Sequence, residues 1–134
     1  IKNQIDDFDL PVKMLGHVDA EIMPALMSSC DLFVLPSESD PYPLSPIEAC
    51  SQGLPLLLSN NVGNVSDVLN KNGWCFDFED KGSLRKSIEH ILSQRNHDMK
   101  LVGQTSTKVF NAKFKAEALI DSYVSQVLLV RELK

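Results

Sequence analysis

Short, uninterrupted runs of apolar residues alternate with helical segments along this 134-residue chain. The two clearest runs are residues 31–35, which end at Pro36, and residues 54–58, which follow Gly53. A run that is both short and continuously apolar is typical of a strand buried on both faces of a parallel sheet. Two further β-prone runs lie at residues 12–15 and 74–78. This alternation predicts an α/β fold, a Rossmann-like parallel sheet flanked by helices.

Helical segments separate and follow these four predicted strands. Asp19, Ser45 and Ser83 are predicted N-caps, because their side-chain oxygens can accept hydrogen bonds from the free N–H groups of a first helical turn. The last helices form a C-terminal helical tail, and residues 1–10 have the pattern of the end of a helix already under way, which predicts sequence upstream. The predicted helices are residues 20–29, the stretch between Ser45 and Gly53, residues 65–69, the stretch from Ser83 to Leu92, residues 97–111 and the stretch from Lys115 onward.

The charge balance of the chain argues against two classes of partner. Its formal net charge is −5, whereas binding to nucleic acid or to an anionic membrane surface requires a basic field. No apolar run approaches the ~20 residues that would span a bilayer. Cys30, Cys50 and Cys75 are odd in number and lie outside metal-ligand spacing, which predicts free, buried thiols in a reducing compartment.

Two acidic residues that follow the predicted strand at residues 31–35 are candidate ligand-binding residues. Asp40 precedes a helix start, and Glu48 lies one turn inside that helix, with seven residues between them. Ligands of parallel α/β sheets bind beyond the carboxyl ends of the strands, where both carboxylates can face the same crevice. Carboxylates accept hydrogen bonds from sugar or ribose hydroxyls, and the intervening helix N-terminus suits a phosphate. The segment therefore indicates a phosphorylated, polyhydroxylated ligand.

This segment resembles the signature of the retaining, GT-B-fold glycosyltransferases, the family of sucrose synthases, glycogen synthases and bacterial polysaccharide mannosyl- and glucosyltransferases. Residues 36–50 resemble the family's Pro-Ser, two residues, Glu, any, Phe-Gly, and a second Glu eight positions after the first. Residues 31–37 resemble its Asp-x-Phe-Val-x-Pro-Ser stretch, and residues 53–56 its Gly-x-Pro-Val strand. Residues 63–67 are similar to its Gly-Gly-x-x-Glu turn. The resemblance spans about residues 12–95.

The resemblance implies a role for particular residues. Asp40 and Glu48 would be the catalytic pair, with Glu48 holding the ribose of the donor nucleotide and Asp40 contacting hydroxyls of the donor sugar. The amides of Leu44 and Ser45 would meet the sugar or the diphosphate. The family acts without a bound metal or other cofactor, so amides and cations would neutralise the departing diphosphate. The other implied nucleotide-sugar-binding residues are Gly16, His17, Ser37 and Tyr42.

Within residues 36–50, three positions depart from the family pattern. Asp40 stands where the family has Glu, which shortens the reach of the carboxylate by one methylene. Pro43 replaces the usual Gly, so one backbone N–H is lost. Tyr42 replaces Phe. The basic residues that bind the diphosphate in this family, and its acceptor-binding N-terminal domain, would lie before Ile1.

Structural interpretations compete with the functional ones. Glu48 and Ser45 match a capping box, which needs no ligand. Asp40 could open an Asp-Pro turn. For His17 we favour a partly buried polar residue over one that lines the crevice. Asp7-Phe8-Asp9 superficially matches the metal-binding triplet of the other large glycosyltransferase fold, but it lies in a helical pattern.

The sequence thus predicts that residues 1–134 form a single truncated, C-terminal nucleotide-sugar-binding domain without the N-terminal acceptor domain. The complete protein would transfer a hexose from a nucleoside-diphosphate sugar to a growing polysaccharide or glycolipid, with retention of configuration. We expect a cytoplasmic location, with peripheral attachment to the inner face of the membrane as an alternative, and neither nucleic-acid partners nor a membrane span. The competing hypothesis is a non-catalytic nucleotide- or sugar-binding scaffold module, and a GT-B-fold epimerase ranks below it.

Overall fold

A three-stranded parallel sheet organises the chain. The computed structural model describes residues 11–94 and 96–132, and for residues 96 and 126–132 it describes the backbone only. In chain order the elements are α1 (Met23–Ser28), β1 (Phe33–Leu35), α2 (Ser45–Ser51), β2 (Leu56–Ser59), α3 (Val65–Val68), β3 (Gly73–Phe76), α4 (Ser83–Leu92), α5 (Asn96–Lys113) and α6 (Ala116–Glu132). The predicted α/β fold with a helical tail is confirmed.

The central strand β2 pairs in parallel with both neighbours. Phe33 lies opposite Leu56 in one pairing, and Leu56 lies opposite Gly73 in the other. All four residues of β2 are buried, as the continuous apolar run at 54–58 predicts. Because successive strand residues point to opposite faces, Leu57 faces one side of the sheet while Leu56 and Leu58 face the other.

Helices cover both faces of the sheet. On one face, Leu56 and Leu58 pack in a cluster with Met27 of α1 and Cys50 of α2, against which Phe110 of α5 also packs. On the opposite face, the cluster contains these buried residues and partly buried neighbours: Leu57, Phe76 and Ile91, with Leu84 and Met99 beside them. Helix α5 therefore contributes to both layers, through Met99 near its start and Phe110 near its end.

The predicted strand at residues 12–15 is wrong. This segment has no strand structure, and Val12, Met14 and Leu15 are between 46% and 60% exposed. A strand is held by hydrogen bonds to a neighbouring strand, and none of β1, β2 and β3 pairs with this run. The β-prone composition of residues 12–15 is thus not sufficient to form a strand without a neighbouring strand to pair with. The predicted helix at residues 1–10, with the Asp7-Phe8-Asp9 triplet, lies outside the described residues.

The three predicted side-chain N-caps are also wrong. Helix α1 begins after Ile22, and Asp19 contributes its backbone carbonyl to the preceding turn. Helices α2 and α4 are capped by Leu44 and Gly82, so Ser45 and Ser83 are the first residues inside. The Ser83 hydroxyl instead accepts a hydrogen bond from the Asp77 N–H at 3.0 Å. Because α4 begins at Ser83 and not after it, this hydroxyl is not placed to accept the free N–H groups of its own first turn.

All three cysteines are free, as the sequence predicts, but burial holds for Cys50 alone; Cys30 and Cys75 are exposed. Cys30 follows the end of α1, so the apolar sequence around it does not enclose its thiol. In the part of the chain that the structure describes, no helix is long and apolar enough to cross a membrane.

Candidate functional site

The loop between β1 and α2 is fastened to the turn that follows β2. Asp40 forms an isolated parallel bridge with Val62. The Gly63 N–H donates to the Asp40 carbonyl oxygen at 2.9 Å. These contacts fix the backbone of Asp40 beyond the carboxyl ends of β1 and β2. The Asp40 side chain is half-buried, and its carboxylate is left without a hydrogen-bond or ion-pair partner among the described residues.

Position 63 has no room for a side chain, so this contact requires glycine. A Cβ added to Gly63 would lie 2.0 Å from the carbonyl oxygen of Pro41 and 2.8 Å from its carbonyl carbon. Both are backbone atoms that cannot rotate away. The sequence pattern at residues 63–67 thus has a direct physical reason, which is the close approach of two loops.

The start of α2 presents free backbone N–H groups next to this loop. The Leu44 carbonyl accepts the N–H groups of Ile47 and Glu48 at 2.9 and 3.0 Å. The N–H groups of Leu44 and Ser45 donate to no residue that the structure describes. Leu44 is 64% exposed. These are the two amides that the resemblance assigns to the sugar or the diphosphate.

Glu48 lies on the outer side of α2. Pro46, Ala49 and Cys50 of the same helix are buried, and the helical period therefore directs Glu48 away from the core. The capping-box interpretation of Glu48 is wrong, because α2 has no side-chain cap and Ser45 lies inside the helix. Within the described residues, the Glu48 carboxylate makes neither a hydrogen bond nor an ion pair. It is available to a ligand.

A buried polar network holds α2 in this orientation. The Asn72 side-chain nitrogen lies 3.5 Å from the Cys50 sulfur and 3.2 Å from the Ser106 hydroxyl oxygen. The Ser106 hydroxyl donates to the Leu54 carbonyl at 2.6 Å. Burial raises the pKa of the Cys50 thiol to about 11, although its hydrogen bonds to Ser106 and Asn72 act in the opposite direction. Cys50 is therefore a neutral anchor for the helix that carries Glu48.

A cavity of about 390 Å³ lies between the 17–27 segment and α2, and brings His17 and Glu48 together. The His17 side chain is 92% exposed, so its interpretation as a partly buried residue is wrong. The lining combines polar groups with apolar side chains of α1. We did not predict this contribution of α1, because in the sequence its apolar residues have the spacing of an ordinary core-facing helix. The lining residues are His17, Val18, Asp19, Ala20, Met23, Pro24, Met27, Glu48, Ser51 and Gln52.

The other predicted site residues lie outside this cavity. Ser37 and Ser45 are half-buried, and Tyr42 is 53% exposed. With Asp40 and Leu44 they belong to the loop and the first turn of α2. Gly16 adopts φ +67° next to His17, with open space around its Cα. The site thus has two parts. One is the cavity that Glu48 lines, and the other is the loop that leads into the start of α2.

A larger cavity of about 740 Å³ shares Gln52 with the first one, and none of the predicted site residues lines it. Leu32, Leu54 and Pro55 on its wall precede β1 and β2, so it lies at the amino ends of the strands. Ligands of parallel sheets bind at the opposite ends. The described residues contain no group of three or more His, Cys, Asp or Glu that could hold a metal. The expectation of metal-free chemistry stays a prediction.

Comparison with known proteins places these features in a family. The family model described as "Glycosyl transferases group 1" matches residues 1–107. The chain is 28% identical to an Escherichia coli UDP-Gal:α-D-GlcNAc-diphosphoundecaprenol α-1,3-galactosyltransferase, over 94% of this chain and 33% of that protein. It is 26% identical to a Neurospora crassa α-1,3/1,6-mannosyltransferase, over 79% of this chain and 23% of that protein. The chain therefore spans at most about a third of the length of these two relatives.

The fold agrees with this similarity. Sucrose-phosphate synthase from Thermosynechococcus elongatus superposes with a TM-score of 0.79 at 24% identity, covering 97% of this chain and 34% of that protein.

Proposed function

Since the chain belongs to the family of group 1 glycosyl transferases, we propose that it binds the nucleoside-diphosphate sugar of a retaining glycosyltransferase. The observation that carries the proposal is the Glu48 carboxylate, which is unpartnered in the described part of the chain and lies on the wall of a cavity. A capping role would give that carboxylate a backbone N–H partner at the start of its own helix. A ligand role needs it free, and the free carboxylate supports the second.

The two parts of the site suit the two parts of such a ligand. Glu48 accepts hydrogen bonds from the ribose hydroxyls, and the apolar side of the cavity, from Val18 and Met23, receives the base. The free N–H groups of Leu44 and Ser45 meet the diphosphate and take up its charge as it leaves, without a metal. Asp40, held by Gly63, accepts hydrogen bonds from the hydroxyls of the donor sugar.

The reaction proposed for the complete protein is hexosyl transfer with retention. The bond between the anomeric carbon and the diphosphate oxygen breaks, and the acceptor hydroxyl oxygen bonds to the same face of that carbon. The acceptor proton leaves with the diphosphate. The name of the Escherichia coli relative specifies a UDP-hexose donor and a lipid-linked acceptor, which supports a polysaccharide or glycolipid acceptor here. The free thiols support a reducing, cytoplasmic location.

The test compares Glu48→Gln with the unaltered protein. The substitution keeps the shape of the side chain and removes its charge, so only the ligand contact should change. Titration of UDP, GDP and ADP by calorimetry should show saturable binding of one nucleotide, weakened about tenfold to a hundredfold in Glu48→Gln, as expected for hydrogen bonds to a charged group. Asp40→Asn should instead lower turnover with the corresponding nucleotide sugar.

Glu38→Gln is the matched control, because Glu38 lies exposed on the same loop as Asp40 but outside the cavity. It should bind the nucleotide like the unaltered protein. Equal affinity in Glu48→Gln and Glu38→Gln would refute the role of Glu48. If the complete protein bound none of the three nucleotides, the enzyme hypothesis would be rejected in favour of the scaffold hypothesis.

A further inference from the structure

Asn64 is a buried side chain that the proposed reaction does not use. It is 0% exposed, and its Nδ2 donates to the carbonyl oxygen of Pro43 at 2.8 Å. Its Oδ1 is buried and finds no hydrogen-bond partner among the described residues. An unpaired buried oxygen opposes folding, so the side chain as a whole adds little stability. Its specific contribution is the contact with Pro43.

That contact determines where the Leu44 N–H points. The Pro43 carbonyl and the Leu44 N–H belong to the same trans peptide, in which the two groups point in opposite directions. Asn64 holds the carbonyl from one side, and the Leu44 N–H therefore faces away from Asn64. This N–H has no acceptor in the described part of the chain. A side chain 21 residues away in sequence thus orients a free donor at the start of α2.

Asn64 and Pro43 are also two departures from the family pattern that touch each other. Pro43 stands where the pattern has the Gly of Phe-Gly, and Asn64 stands at the second Gly of Gly-Gly-x-x-Glu. Pro43 brings a fixed φ and no N–H. A glycine at position 64 would leave the buried Pro43 carbonyl without its donor.

We propose that Asn64 is a positioning residue of the donor site: by holding the Pro43 carbonyl, it aims the Leu44 N–H at the diphosphate of the nucleotide sugar. The identity of the ligand rests on the proposed function. The orientation of the peptide between Pro43 and Leu44 does not, and it can be measured without any ligand.

The test measures the calorimetric affinity of the complete protein for UDP, GDP and ADP. Asn64→Gly should weaken binding of the preferred nucleotide about tenfold, the effect of one misdirected hydrogen bond to a charged group. Asn64→Ala removes the donor without adding a charge, so it should give the same loss if Asn64→Gly does not fold.

Asn60→Ala is the matched control. Asn60 flanks the same turn, but its side chain bonds to Asp77 and Phe78 rather than to the loop that precedes α2. With ¹⁵N-leucine labelling, Asn64→Gly should shift the Leu44 amide resonance in the ligand-free protein, and Asn60→Ala should not. An unshifted Leu44 resonance, or equal losses of affinity in both variants, overturns the positioning role. If the unaltered protein binds no nucleotide, the proposed function fails, and the Leu44 resonance alone decides the orientation.

Discussion

Replacing Gly63 by alanine tests whether the two loops of the site must touch. Gly63 does not adopt a left-handed φ, so an alanine is compatible with its backbone and the effect is purely steric. Its Cβ would lie 2.0 Å from the Pro41 carbonyl oxygen, whereas ordinary contact begins at 3.4 Å. The loops must then separate by about 1.4 Å, because packed backbone atoms cannot overlap. The 2.9 Å hydrogen bond from Gly63 to Asp40 would be lost.

The loss of that bond, with the groups it leaves unpaired, should lower the free energy of unfolding by about 1–3 kcal/mol. With Asp40 in its proposed contact with the donor sugar, its displacement should lower turnover about a hundredfold, as expected when a group that positions the substrate moves by about 1 Å. Urea unfolding and initial rates measure the two effects. Gly82→Ala is the control, since its Cβ would approach the Asp80 carboxylate at 3.2 Å, a flexible side chain that can move. Normal unfolding and turnover in Gly63→Ala would refute the reasoning.

Two further predictions concern the core. Leu57→Ala should lower the free energy of unfolding by about 3 kcal/mol through the cavity it leaves, whereas Leu92→Ala, at a side chain 78% exposed, should change it by less than about 0.5 kcal/mol; urea unfolding compares them. Burial raises the pKa of the Cys50 thiol from 9.0 to about 11, so in the unfolded chain this thiol ionises first and stability falls as pH rises through that window. Cys50→Ala should reduce this dependence in unfolding curves, and iodoacetamide at pH 8 should label Cys30 but spare Cys50 by mass spectrometry; equal labelling of both would contradict the burial.

The sheet could be predicted because its signal is local and strong. Residues 54–58 form one apolar run between Gly53 and a polar turn, and every residue of β2 is buried. Asp40 and Glu48 could be chosen from their spacing and their position around a helix start. The family match at residues 1–107 agrees with that choice of segment, and the roles of the two acids stay predictions.

Other features depend on contacts that no local pattern contains. Residues 12–15 have strand composition, but a strand exists only where a neighbour offers its backbone. Ser45 has the right residue type for an N-cap, yet α2 starts one residue earlier, which separates Glu48 from any cap. Asn64 is joined to Pro43 across 21 positions, and in the sequence it resembles an ordinary turn residue.

Helix α5 runs from one face of the sheet to the other, and this has a consequence for how the domain responds to a bound ligand. Gly103 approaches the Gly53 carbonyl so closely that a Cβ would lie 2.2 Å from it, and Ser106 bonds to Leu54, so the helix is fastened to the chain between α2 and β2. Its Met99 end packs against the cluster that contains Leu57, and its Phe110 end against the cluster that contains Leu56. Local opening on one face must therefore disturb the other. A nucleotide held by α2 would slow amide hydrogen exchange as far away as α4, on the face of the sheet it never touches.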